Sequence, residues 1–403
     1  MKTTTVILLC TWAVLAQSMS IKDAEKCSDE KCKIGDNCRC SSTKSPLDGD
    51  APQLITLTFD EAVVNNIFTD VWKPLLFDRK NPDGNPISAT FFVPHEYTDY
   101  RRVQELYVQG FEIGVNSITK NSTAEYWLKA SEDVLREEFE GQRILMSHFA
   151  NIPIEDIVGA RTPQLQLQGD ASVNAYVASG VAYDSSWTSR STSMMFPYTL
   201  DYLSTQECRT GTTCPKDPHA GFWVAPIINI QGNSTDGILE CNSLNTCNFH
   251  GTAEEIAQWL LSQIERERST TKAPLSLMVP SSWFRFTDNS YEGFKTFLDE
   301  LAKLNDVFLV SLKQVIDWTK NPVSASDFKT DVPERTADCD NPRNCPLRNT
   351  NGDLRYMMSC VECPEVYPWL GNPLGQAETT TPAPTTAEPT TPTPEETTTP
   401  EAF

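Results

Sequence analysis

Histidine is scarce in this chain, 4 in 403 residues, and basic side chains are outnumbered: 33 Lys and Arg stand against 54 Asp and Glu, a formal charge of −21. The deficit of positive charge excludes a nucleic-acid binder, which needs a basic footprint to displace phosphate counterions. Long apolar runs are missing too. With 39% hydrophobic residues and a single strongly apolar stretch, residues 6–15 (VILLCTWAVL), the chain is not a polytopic membrane protein. No internal repeat is visible. The length leaves room for one large domain or two ordinary ones with a sizeable core.

The apolar stretch is too short to span a bilayer. Lys2 ahead of it and Ala16, Ser18 and Ser20 behind it make residues 1–16 read as a secretory signal peptide, with cleavage at 16–20, in preference to a buried N-terminal helix. Its removal takes Cys10 and leaves twelve of the 13 cysteines, an even number that fits disulfides. Four lie in a segment over 21–50 (Cys27, Cys32, Cys38, Cys40) and four in a flank over 323–375 (Cys339, Cys345, Cys360, Cys363). Cys360-x-x-Cys363 has the spacing of zinc ligands, but behind a signal peptide an oxidised framework is the favoured state. Cys208/Cys214 and Cys241/Cys247 read as local loop staples; the rest of the connectivity stays open. Residues 376–403, almost entirely Thr, Pro, Glu and Ala, cannot bury a core and resemble an O-glycosylated mucin-like stalk, with no hydrophobic tail for a GPI anchor. Asn121-Ser-Thr and Asn233-Ser-Thr are N-glycosylation sequons in an exported chain. The protein is expected to be secreted and extracellular, with no membrane partner.

The body, residues 51–322, alternates short β-branched runs with helical patterns. The runs are 54–59 (LITLTF), 87–93 (ISATFFV), 111–115 (FEIGV), 157–161 (IVGAR), 275–279 (LSLMV) and 307–311 (VFLVS). Runs apolar on both faces indicate strands covered on both sides, hence an α/β arrangement with a mainly parallel sheet or barrel. Thr252 and Glu255 form a capping box ahead of the stripe Ile256, Trp259, Leu260 and Ile264; Phe294, Phe297, Leu298 and Leu301 repeat that spacing. Ser311 and Gln314 cap a further helix that stops at Asn321-Pro322. These stripes read as core.

In such folds functional groups sit at the C-terminal ends of strands. The first is Thr58-Phe59-Asp60-Glu61-Ala62, two adjacent carboxylates after a buried strand, read either as a base plus a metal ligand or as a solvated turn. TFDEA resembles the first motif of the polysaccharide deacetylases, the NodB homology domain of carbohydrate esterase family four. ATFFVPHEYTDY (89–100), GFEIGVNSIT (110–119), GARTPQL (159–165), AYDSSW (182–187), PYTLDY (197–202), APLSLMVPSSWF (273–284) and VIDWTKNP (315–322) follow in the order of the arthropod chitin deacetylases. The resemblance implies a distorted (β/α) barrel with disulfide-rich flanks and metal-dependent hydrolysis of the N-acetyl groups of chitin. It also implies an Asp base, a metal-binding Asp, two metal-binding His in an H-S/T-x-x-H motif, an Arg that orients the base, a backbone oxyanion donor and a late His acid.

Set against that pattern, Asp60 keeps the base position and Arg161 the orienting one. Glu61 replaces the metal-binding Asp, Asn116 and Lys120 replace the two histidines, and Pro280, with no titratable group and no N–H, replaces the acid. Gln164 stands where Tyr is usual. One carboxylate and one amide do not make a three-ligand zinc site, and an ammonium among the ligands repels a divalent cation. His95, His148, His219 and His250 each read as ordinary histidines. No cofactor is therefore expected, and zinc belongs only to the alternative of an active deacetylase with a rebuilt site using Asp60, Glu61 and His95. Lys120 is expected to fill the place of the metal and pair with Glu61 or Asp60. Trp187 and Trp283, and after them Trp223 and Tyr100, are the candidate platforms for stacking on sugar rings.

The sequence thus points to an inactive chitin deacetylase-like protein that binds chitin or another N-acetylglucosamine polymer, with matrix glycoproteins as further partners, in a matrix of the peritrophic kind. A chain that binds a different glycan is the remaining possibility. Residues 27–40 are too short for a separate chitin-binding module, so any chitin affinity belongs to the barrel.

Overall fold

Strand β1 (Gln53–Phe59) is buried at all seven positions, which its unbroken apolar and β-branched sequence requires of a strand covered on both faces. In this computed structural model, which describes residues 23–377 except 210, 236, 331, 333 and 337, β1 pairs with three other strands of a nine-stranded sheet. β2 (Thr90–Val93), β3 (Glu112–Val115), β4 (Gly159–Ala160) and β5 (Tyr183–Asp184) follow side by side, all parallel. On the other flank of β1 lies Leu275–Met278, also parallel.

The sheet is distorted in three places. Val307–Leu309 pairs with the first half of β1, while β2 takes over only at Thr58 and Phe59. β4 and β5 have shrunk to two residues each. Beyond β5, His219–Val224 runs parallel, but Tyr198–Leu200 joins it antiparallel with a register irregularity at Thr199/Leu200. A single parallel bridge, Ser243 to Met278, extends the far side. The expected α/β barrel of the polysaccharide deacetylase type is thus present in distorted form.

Both anticipated capping boxes form: Thr252 with Glu255 opens the helix Ala253–Arg268, and Ser311 with Gln314 opens Leu312–Lys320. The apolar stripes of these helices and of Ser290–Leu301 are buried against the sheet. Inside the barrel a smaller cluster of Phe92, Tyr183, Trp223, Leu312 and Ile316 fills the space. Gly159 is required there, since a Cβ would come within 2.2 Å of the Tyr183 phenol. That phenol donates to Glu112 at 2.7 Å, and Thr90 Oγ1 at 2.8 Å and the Lys313 N–H at 3.0 Å satisfy the other carboxylate oxygen.

Six disulfides tie the chain: Cys27–Cys40, Cys32–Cys38, Cys208–Cys214, Cys241–Cys247, Cys339–Cys360 and Cys345–Cys363. The mid-chain pairs are the expected staples. Cys360 and Cys363 belong to two different disulfides, which removes the zinc reading of that pair. The C-terminal flank forms the hairpin Arg343–Arg348/Leu354–Ser359 and docks on the barrel through a bridge from Met358 to Asp99, a Cys360 N–H to Phe149 carbonyl bond of 2.8 Å and the Tyr367 ring 4.7 Å from His95. Among the described residues no helix is long and apolar enough to cross a membrane. The expected signal peptide and most of the mucin-like tail lie outside the described residues.

Candidate functional site

Parallel strands deliver their C-terminal ends to one mouth, and there Arg161, the residue after β4, gathers three of them. Its side chain is fully buried. Nη1 donates to Asp60 Oδ1 at 2.9 Å and to Thr58 Oγ1 at 2.7 Å, Nη2 to Ser185 Oγ at 2.8 Å and Nε to the Ser185 carbonyl. The guanidinium lies 4.4 Å from the centre of the Phe92 ring. A buried cation is tolerable because every one of these bonds is present and one partner is charged. Asp60 keeps part of its carboxylate in solvent, with 22% of its side chain exposed.

Each of the three positions that the resemblance assigns to metal ligands has a hydrogen bond elsewhere in the fold. Glu61 accepts from the Ser281 N–H at 2.6 Å and from the Ser281 hydroxyl, so it holds the start of the short helix Ser281–Phe286, whose N-cap is Pro280. Burial raises its pKa above the ordinary carboxylate value, against the two Ser281 bonds and the nearby Lys120 charge. Asn116, buried, donates its Nδ2 to the Arg161 carbonyl at 3.0 Å. Lys120 has a left-handed backbone (φ 44°) and turns its ammonium onto the Asp60 main-chain carbonyl.

This corrects the expected ion pair: among the described ion pairs none joins Lys120 to a carboxylate, and its ammonium takes the Asp60 main-chain carbonyl instead. The residue is exposed overall, yet crowding around its ammonium lowers its pKa, while the charges of Asp60 and Glu61 act the other way.

Zinc does not fit these residues. Glu61 is the only carboxylate at the three ligand positions and is already doubly bonded, Asn116 offers only a neutral amide oxygen, and Lys120 brings a positive charge. Among the described residues the only group of three metal-binding side chains within reach of one another is Cys27, Cys32 and Cys40, whose sulfurs are in disulfides. His95 does not join the acids. It is buried, shares a 2.8 Å hydrogen bond with the Tyr100 hydroxyl and faces Tyr367, and burial pushes its pKa down to about 3, so it is neutral. His219 pairs with Asp170 at 2.9 Å, His250 lies by Asn248, and His148 is exposed on the helix Glu132–Phe149.

The aromatic platforms also need correction. Trp187 is 4% exposed and Trp283 1%; Trp283 packs edge-on against Phe284 and Phe294. Trp223 and Tyr100 are buried as well. A Trp after a strand end reads the same in sequence whether its face is free or covered, and here all four rings are packing. Two exposed aromatic rings follow the strands that flank β1, and sequence reasoning did not single them out. Tyr97 (62% exposed) lies in the loop after β2, and Phe286 (74% exposed) ends the helix held by Glu61. The Tyr97 loop is tied to both neighbouring strand ends, His95 N–H to the Ser117 carbonyl and Asp99 N–H to the Val63 carbonyl, and the Arg355 guanidinium lies 5.1 Å from the centre of the Tyr97 ring and that of Arg285 5.3 Å from the centre of the Phe286 ring. Of the sequons, Asn233 is exposed on the strand Ile230–Ser234, and Asn121 lies directly after Lys120.

A further group missed in the sequence is Asp184 at the end of β5, 1% exposed, which accepts from Ser186 N–H and Oγ at 2.8 and 2.6 Å. Burial raises its pKa from 3.8 to about 6. Its folded pKa exceeds the unfolded one, so the folded state holds the extra proton, and the contribution is stabilising below about pH 4 and lost as pH rises through about 6. The stability of the wild type relative to Asp184→Asn is therefore expected to fall by roughly 2 kcal/mol between pH 4 and 7, read from denaturant midpoints at each pH. A difference independent of pH would show that Asp184 does not titrate in this range.

No family model matches the chain. It is 35% identical over 384 residues to chitin deacetylase 8 of Bombyx mori, covering 92% of this chain and 99% of that protein. It is 32% identical over 374 residues to chitin deacetylase 1 of Bombyx mori, covering 87% and 69%. Among solved structures it is similar to a family 4 carbohydrate esterase from Streptomyces lividans in complex with acetate, at a TM-score of 0.35 and 11% identity over 64% of this chain and 92% of that one. The order of its motifs, the barrel that carries them and two relatives matched over most of the chain together make this protein a member of the chitin deacetylase family.

Proposed function

We propose that this chain is a secreted, catalytically inactive member of the family that binds chitin at the barrel mouth and helps to organise a chitinous matrix. The observation that carries the reading is the Lys120 ammonium bound to the carbonyl of Asp60, a fixed positive charge where a hydrolase of this kind needs a divalent ion. With Glu61 committed to Ser281, Asn116 to Arg161 and Pro280 in place of an acid, no group generates hydroxide and none protonates a leaving amine. Sugar recognition is chemically independent of that machinery. The exposed rings of Tyr97 and Phe286, which follow the two strands flanking β1, support it, because sugar rings stack their C–H faces on aromatic rings. The six disulfides support an extracellular setting.

The test is co-sedimentation with chitin and titration with a chitin hexamer, alongside an acetate-release assay. Wild type is expected to bind and to release no acetate above background. Tyr97→Ala and Phe286→Ala are each expected to weaken binding by about 1 kcal/mol, roughly fivefold, with the fold intact. Zinc-dependent acetate release that vanishes in Asp60→Ala would instead select an active enzyme, and binding only to another glycan would change the ligand.

A further inference from the structure

The loop that carries Lys120 is rigidly placed. The Thr119 N–H donates to the buried Glu138 carboxylate at 2.8 Å, the Lys120 N–H to Ser117 Oγ at 3.0 Å, and Trp127 Nε1 to the Asn121 carbonyl at 2.8 Å. The next residue after Lys120 is the sequon asparagine. Consecutive Cα atoms stand about 3.8 Å apart, and the Lys120 side chain itself touches the main chain of Asp60, so Asn121 is rooted at the rim of the mouth. Its Oδ1 accepts from the Thr123 N–H at 2.9 Å and the Thr123 hydroxyl at 2.8 Å. No described hydrogen bond uses its Nδ2. Ser122 and Thr123 are exposed. Asn233, by contrast, sits on a separate hairpin near Cys247.

We propose that Asn121 carries an N-linked glycan that roofs the mouth above Asp60 and competes with chitin for it. The proposal rests on the chitin-binding reading above. Attachment transfers an oligosaccharide from a polyprenyl diphosphate donor. The Asn121 Nδ2 loses one proton and forms the bond to the anomeric carbon, the bond from that carbon to the phosphate oxygen breaks, and the diphosphate leaves with the electron pair. Such glycans begin with two β1,4-linked N-acetylglucosamine units, the repeat of chitin. A rim fitted to the polymer is therefore equally fitted to the base of the protein's own glycan, held there at high effective concentration by its covalent root. The glycan acts as a tethered rival, and trimming it opens the mouth.

The experiment uses the full chain secreted from a eukaryotic host. Peptide mapping is expected to find the glycan on Asn121. Enzymatic removal, and independently Asn121→Gln, are expected to tighten binding of a labelled chitin hexamer at least severalfold and to raise acylation of Lys120 by an amine-reactive ester. Asn233→Gln, mapped and measured in parallel, is expected to leave both unchanged. An unmodified Asn121, or a glycan whose removal changes neither chitin affinity nor Lys120 acylation, overturns the proposal. A chain that binds chitin in no form overturns the chitin reading instead, and Lys120 acylation then decides for the roof alone.

Discussion

A variant carrying Glu61→Asp, Asn116→His and Lys120→His together is expected to hold zinc where the wild type does not, with affinity rising at least about a thousandfold, some 4 kcal/mol at 1.4 kcal/mol per decade. The reasoning is one of donor chemistry. The triple change removes the ammonium, restores two imidazoles at the end of β3 and shortens the carboxylate by the methylene that now lets it reach Ser281, so three ligands and an open position face one another. Zinc content after dialysis and chelator competition measure it. Two of the three changes without Lys120→His are expected to fail, because the remaining cation sits among the ligands. A triple variant that leaves dialysis as metal-free as the wild type would mean that something other than these side chains bars the ion. Adding Pro280→His supplies an acid, and acetate release above background is expected only in that fourfold variant.

The second large effect falls on stability. Arg161→Met is expected to cost about 3 kcal/mol, because the guanidinium donates in the interior to Thr58 Oγ1 and to the Ser185 hydroxyl and carbonyl while pairing with Asp60. The lower end of the range for broken buried pairs is the right one, since Asp60 retains access to water. Arg161→Lys should recover only part of the loss, as one ammonium cannot replicate a planar fork with bonds to three partners. Chemical denaturation of the three proteins measures this, and a shift under about 0.5 kcal/mol for the methionine variant would show that the strand ends hold without the arginine.

Much of the barrel was legible because its signals are local. The run at 54–59 became Gln53–Phe59, 275–279 became Leu275–Met278, and both capping boxes opened helices at the expected residues, since buried parallel strands and caps write themselves into short stretches of sequence. Tyr183–Asp184 and the antiparallel pair Tyr198–Leu200/His219–Val224 were not legible. Two-residue strands carry no period, and an edge pairing depends on partners twenty residues away. At the site, Asp60 and Arg161 were identified through motif order, and the structure brings them together at 2.9 Å. What the sequence hid was competition: Ser281 taking Glu61 and the backbone of Asp60 taking Lys120 are contacts between distant segments. The same reason misplaced the aromatic platforms. Burial of Trp283 depends in part on Phe294 of the following helix, and the exposed Tyr97 and Phe286 carry no periodic mark.

The engagement of Glu61 with Ser281 also bears on what a single substitution at this mouth can achieve. A single histidine introduced at 116 or at 120 meets a carboxylate already bound to Ser281 and lacks a second imidazole beside it. Building a metal site into this arrangement would therefore take several coincident substitutions, not one.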